Sequence, residues 1–155
     1  MIIAGESKKG SERYWLDIQK TIEDGPCSGQ IIQRIEFVPD EQTELYFKAA
    51  DITVLPYTEV FQSGVLFLAY SFGLPVIASD VGSFRDDIIP GRTGFLCPSC
   101  EASDLSAAIE AYFASDLFKN LDHRRQEIKD FANSRNSWNV VGDMTRSVYE
   151  NLLKQ

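Results

Sequence analysis

The residues best suited to chemistry lie in one run, Pro56-Tyr57-Thr58-Glu59-Val60-Phe61-Gln62-Ser63-Gly64-Val65. A strand-like segment ends at Pro56, a short loop follows, and Ser63 is placed as the N-cap of an apolar helix. The first N–H groups of a helix have no intrahelical partner and carry the positive end of its dipole, so they form an anion site. Gly64 lets a ligand approach the backbone closely, and a diphosphate would suit the site. On residue types alone a plainer reading stands beside this one, in which Ser63 only caps the helix and Gly64 only packs.

Other chemical candidates carry less. Gly5-Glu6-Ser7-Lys8-Lys9-Gly10 has the two glycines of a phosphate-binding loop, but the lysine such a loop needs next is replaced by Ser11. That excludes a P-loop NTPase. Neither G-x-G-x-x-G nor G-x-S-x-G occurs, so dinucleotide binding and triad hydrolysis lack their motifs. Cys97-Pro98-Ser99-Cys100 has the spacing of a redox pair or half a zinc site, with only Cys27 and His123 left to complete a zinc set. Two incidental thiols at a strand end is the preferred reading. His123 lies in the polar run Asp122-His123-Arg124-Arg125-Gln126 and reads as a solvated helix residue.

Alternating elements must position these residues. A short apolar strand at Ile2-Ile3-Ala4 is followed by a helix with Trp15, Ile18 and Ile22 on one face, stopped by Gly25-Pro26. Residues 34–38 are β-rich, 41–50 read as a helix, and 51–55 as a strand ending at Pro56. Residues 63–72 are apolar nearly all round, the mark of a buried helix, with Gly73 to end it and a buried strand over 75–78. Gly91-Arg92-Thr93-Gly94 turns into the strand Phe95-Leu96. Three helices follow, the first built on Leu105, Ile109 and Tyr112, the second over 117–131, and the third with Val141, Met144, Val148 and Leu152 on one face. This pattern predicts an α/β domain, a doubly wound and mostly parallel sheet of Rossmann-like kind. Ligands bind such sheets beyond the carboxyl ends of the strands, here the loops 5–10, 38–40, 56–63 and 79–85.

Composition agrees with one globular domain over 1–155: 44% of residues are apolar, 25% are charged, and the net charge is −8. The acidic excess argues against a nucleic-acid partner, and no apolar run reaches the roughly 18 residues of a membrane span. The opening Met1-Ile2-Ile3-Ala4-Gly5-Glu6 reads as no signal peptide, and the three cysteines read as reduced thiols, both pointing to a cytoplasmic protein.

In order along the chain, many segments resemble the donor-binding, C-terminal domain of group-1, GT-B-fold glycosyltransferases. They include Phe37-Val38-Pro39-Asp40, Ala49-Ala50-Asp51-Ile52 and Val54-Leu55-Pro56-Tyr57. Gln62-Ser63-Gly64-Val65, Gly73-Leu74-Pro75-Val76-Ile77-Ala78-Ser79 and Val81-Gly82-Ser83 continue the series, and Gly91-Arg92-Thr93-Gly94, Ser137-Trp138 and Val148-Tyr149-Glu150 complete it. The resemblance implies a retaining hexosyltransferase type that uses a nucleoside-diphosphate sugar as substrate, with no cofactor and no obligatory metal. It places the diphosphate on Gln62, Ser63, Gly64 and Val65, the base near Phe37 and Val38, and Gly82 and Asp86 in a loop beside the donor. Asp86 reads equally well as a helix-start charge.

The family usually carries a glutamate on either side of the helix start, where this sequence has Val60 and Leu68. Glu59 stands one residue away, within reach of a loop adjustment, and is the one candidate catalytic carboxylate. Relative to the family, the first strand and helix, with their phosphate-neutralising Arg and Lys, have no counterpart here, nor does the acceptor-binding domain. The strand at Ile2-Ile3-Ala4 matches the family's second. The expectation is therefore a fragment of a larger enzyme, inactive alone, whose acceptor is a glycan or a lipid-linked glycan. Either the strands at 2–4 and 51–55 pair directly and close the gap, or another copy supplies an element. The alternatives are a non-catalytic GT-B-like interaction or regulatory module and, less favoured, a sugar-nucleotide epimerase.

Overall fold

The computed structural model describes residues 1–98 and 100–153. They divide into two compact units, Met1–Leu45 and Tyr46–Gln155. The first holds β1 (Ile2–Ala4), α1 (Glu12–Asp24), a 3-10 turn at Ser28–Gln30 and β2 (Ile32–Arg34). β1 and β2 pair in parallel, Ile2 opposite Ile32 and Ala4 opposite Arg34. Ile22 of α1 is buried, as its helical spacing requires, and the helix ends where Gly25 N–H bonds Ile22 O at 3.2 Å. The strand expected over 34–38 lies earlier. β1 offers only three residues to pair with, and Gly5 N–H closes the ladder on Arg34 O at 3.0 Å, so residues 35–39 lie in no strand. They lead into α2 (Asp40–Ala49).

The second unit is built on β3 (Thr53–Leu55), β4 (Val76–Ser79) and β5 (Gly94–Cys97), ordered β3-β4-β5 and all parallel. The α/β class with parallel pairing thus holds, the strands falling into a two-stranded and a three-stranded sheet. β4 is central and all four of its residues are buried, which explains its unbroken apolar reading. α3 (Gly64–Ser71) packs against β3, β4 and the later helix α7 (Leu121–Asn136), burying Leu66, Ala69 and Tyr70. It stops at Gly73, whose φ of +70° a side chain would strain. α4 (Phe84–Asp87) buries Phe84, and α5 (Ala102–Ala114) packs on β4 and β5 through Tyr112. Tyr112 donates its hydroxyl proton to Asp51 O at 2.7 Å, and Arg125 Nη2 donates to Ala50 O at 3.1 Å, so both hold the segment entering β3.

The single helix expected over 117–131 is two, α6 (Asp116–Lys119) and α7. Asn120 breaks it: its Nδ2 donates to Asp116 Oδ1 at 2.7 Å, and a short polar side chain that bonds its own turn competes with the helix ladder. α8 (Trp138–Leu152) leaves Trp138, Met144, Val148 and Tyr149 exposed. Among the described residues no helix is long and apolar enough to cross a membrane.

Candidate functional site

Because β3, β4 and β5 are parallel neighbours, their carboxyl ends share one edge, and the loops after Leu55, Ser79 and Cys97 rise together from it. Backbone bonds knit this rim. Asp80 N–H donates to Cys97 O at 2.9 Å, Ser83 N–H to Phe61 O at 3.3 Å, and Cys100 Sγ lies 3.6 Å from Tyr57 O. The rings of Tyr57 and Phe84 meet with centroids 5.8 Å apart.

Ser63, 5% exposed, is the N-cap of α3, its Oγ accepting from Leu66 N–H at 3.4 Å. Both readings of Ser63 meet here, because capping satisfies the third amide and leaves those of Gly64 and Val65 ahead of the first intrahelical bond. A Cβ built on Gly64 would find nothing within 4 Å, so no packing in the protein requires a glycine there. The amide end is open to a ligand, and packing alone does not account for the residue. Gln62 and Glu59 are exposed beside it, and Phe61 is 94% exposed.

The structure brings Glu59, Gln62, Ser63, Gly64, Val65 and Gly82 onto one rim. Asp86 lies in α4 and is exposed, its carbonyl accepting from Arg135 Nη1 at 3.1 Å. Phe37 (70% exposed) and Val38 belong to the other unit, in the irregular segment after β2. Val60 is half-buried and Leu68 exposed. Arg85 grips Asp80 through two hydrogen bonds, Nε–Oδ1 2.9 Å and Nη2–Oδ2 2.7 Å, which hold the Asp80 carboxyl below the ordinary carboxylate range. With Arg85 so engaged, the positive end offered at the start of α3 is that of its peptide amides.

Sequence reasoning missed this Asp80–Arg85 clasp. A charge pair five residues apart was the only signal for the clasp. The C-x-x-C reading falls partly on Ser99, outside the described residues. Cys97 is buried, and burial pushes its thiol up, away from the thiolate a redox centre needs. Among the described residues no three metal-ligating side chains gather. A groove of about 550 Å³ lined by Arg92, Phe131 and Arg135 lies by the turn into β5, at the opposite edge of the sheet from the rim.

The model of the family "Glycosyl transferases group 1" matches residues 1–115. The chain belongs to this family. As a group-1 glycosyltransferase chain, it is 28% identical over 127 residues to a phosphatidyl-myo-inositol mannosyltransferase of Mycobacterium leprae (strain TN), covering 79% of this chain and 33% of that protein. It is 33% identical over 110 residues to a D-inositol 3-phosphate glycosyltransferase of Paenarthrobacter aurescens (strain TC1), covering 70% and 25%. The chain thus spans a third or less of these relatives. The fold is shared with Anabaena Alr3699/HepE, solved in complex with UDP, at TM-score 0.80 and 19% identity over 99% of this chain and 40% of that one. Sucrose-phosphate synthase from Thermosynechococcus elongatus superposes at TM-score 0.78 and 22% identity, over 99% and 38%.

Proposed function

We propose that this chain is the donor-binding part of a glycosyltransferase that takes a hexose from a nucleoside-diphosphate sugar and passes it, with retention, to a glycan or lipid-linked acceptor. The observation that carries the reading is the open amide end of α3 at the carboxyl edge of three parallel strands. Gly64 and Val65 N–H groups there meet a diphosphate, and the glycine leaves the approach clear. As the glycosidic bond to the leaving diphosphate breaks, negative charge grows on its oxygens. Fixed amides answer that charge without reorganising, which lowers the barrier. Gly82 and Asp86 flank the donor, and no cofactor or obligatory metal takes part. The UDP in the HepE structure supports a uridine diphosphate donor as the first to try. The acceptor is held outside this chain, and the whole enzyme works on the cytoplasmic side of a membrane.

Titration with UDP and GDP while following the amide signals of Gly64 and Val65 tests the reading. Millimolar or tighter binding that moves both signals is expected. Silence with both nucleotides would favour the second reading, a non-catalytic module of the same fold, to which apolar Val60 and Leu68 at the family's glutamate positions lend weight.

A further inference from the structure

Gly82 has a φ of +55°, and a Cβ built on it would lie 1.8 Å from the carbonyl oxygen of Val60 and 3.1 Å from Val60 Cγ1. No side chain fits there while both backbones stay in place. The next residue continues the seam, since Ser83 N–H donates to Phe61 O at 3.3 Å. The turn after β4 therefore lies backbone to backbone against the loop that leads into α3.

The two sides of this seam are unequally anchored. The turn is tied down on three sides: Asp80 N–H bonds Cys97 O at 2.9 Å, Arg85 clasps Asp80 across the turn, and Phe84 is wholly buried. The loop has fewer side-chain anchors, with Thr58, Glu59, Phe61 and Gln62 all exposed. Its course is set by what it leans on. Three residues beyond Val60 the chain reaches the Ser63 cap and then the open amides of Gly64 and Val65.

We propose that Gly82 is a positioning residue for the nucleotide site, its missing side chain letting the β4 turn fix the Val60–Phe61 backbone and so the placement of the Gly64 and Val65 amides. The ligand named here rests on the donor-site reading above; the geometry of the seam does not. Amide sites tolerate little misplacement, about 1 Å being enough to cost a hundredfold in a pre-organised site.

Gly91 supplies the control. It also has positive φ, +73°, but a Cβ on it would meet nothing within 4 Å. Asparagine tolerates the left-handed region better than other side chains, so Gly82→Asn and Gly91→Asn share the conformational cost and differ in the collision. In the full chain, Gly82→Asn should displace the Gly64 and Val65 amide signals without nucleotide present and weaken UDP binding at least about tenfold. Gly91→Asn should leave both as in the wild type. Unmoved signals and wild-type UDP affinity in Gly82→Asn, or equal shifts in both variants, would overturn the proposal. Should Gly82→Asn fail to fold, Val60→Gly loosens the same seam from the loop side. It is expected to move the same two signals, and unmoved signals would again overturn the idea. A wild-type chain that ignores UDP would sink the donor-site reading, while the amide signals still decide whether Gly82 positions the loop.

Discussion

The hydroxyl oxygens of Tyr70 and Thr93 lie 2.9 Å apart in the core, joining α3 to the turn before β5. Tyr70 Oη is also 3.1 Å from Asp87 O, and Thr93 Oγ1 accepts from Ile89 N–H at 2.9 Å. One arrangement satisfies every atom: Ile89 N–H donates to Thr93, Thr93 to Tyr70, and Tyr70 to the Asp87 carbonyl. The helix that presents the candidate anion site is thereby tied at its far end to the segment 87–93.

Removing either hydroxyl should therefore cost more than a surface hydrogen bond. Tyr70→Phe and Thr93→Val each leave a buried partner unsatisfied, a cost of about 1–3 kcal/mol. The double variant should fall short of the sum because the two act as a unit. Urea unfolding of the four proteins checks this, and strict additivity would contradict the coupling.

The same burial makes the fold alkali-sensitive. Burial pushes the Tyr70 phenol up to about 12, and it pushes Tyr112 higher still, against an ordinary value of 10.0. The unfolded chain ionises these phenols near 10, so it gains over the folded chain as the pH passes that point. Stability from the pair is complete below about pH 10 and drains away as the pH climbs toward the raised values. Absorbance titration should find fewer than the six tyrosines ionised near pH 11 while the chain remains folded. All six ionising together on an intact fold would refute the assignment.

Gly64→Ala separates fold from function. The added methyl meets no atom of the protein within 4 Å, and alanine favours a helix over glycine by up to about 1 kcal/mol. The variant should melt no lower than the wild type yet bind UDP more weakly, because the methyl stands where the ligand approaches. Unchanged UDP affinity would argue that the amide end is not the phosphate site. A thermal melt paired with calorimetric titration reads both.

Ser83→Ala tests a different atom. Ser83 Oγ is buried with no hydrogen-bond partner among the described residues. Deleting a buried, unpartnered hydroxyl removes its desolvation penalty, so stability should hold or rise by about 1 kcal/mol. A clear loss in chemical denaturation would mean that the hydroxyl has a partner in solution.

Much of the second unit was legible because its signals are local. The all-round apolar character of α3, the Ser63 cap before it and Gly73 after it are read within a dozen residues. β4 announces itself as a buried run. Where the pattern misled, a partner or a competing side chain decided. The β-rich 34–38 stretch yields to the short ladder that β1 can offer, and the long helix over 117–131 yields to Asn120 bonding its own turn. At the candidate site, Gln62, Ser63, Gly64 and Val65 could be picked out because a strand, a loop and a capped helix follow one another in the chain. The Asp80–Arg85 clasp and the orphaned Ser83 hydroxyl could not, since each depends on how a turn closes in space.

The sequence by itself determined the element types, the family and the stretch that could hold an anion, because periodicity, capping and motif order are properties of neighbours along the chain. Only the tertiary structure decided that the β4 turn would lean on the β3 loop, that Gly82 had to lack a side chain against Val60, and that Gly64 faced open space. Those outcomes follow from parallel strands setting their carboxyl ends side by side, which brings together backbones some twenty residues apart. No local pattern encodes a contact between them. A glycine required by its own backbone angle and one required by a distant carbonyl look the same in sequence, and only packing tells them apart.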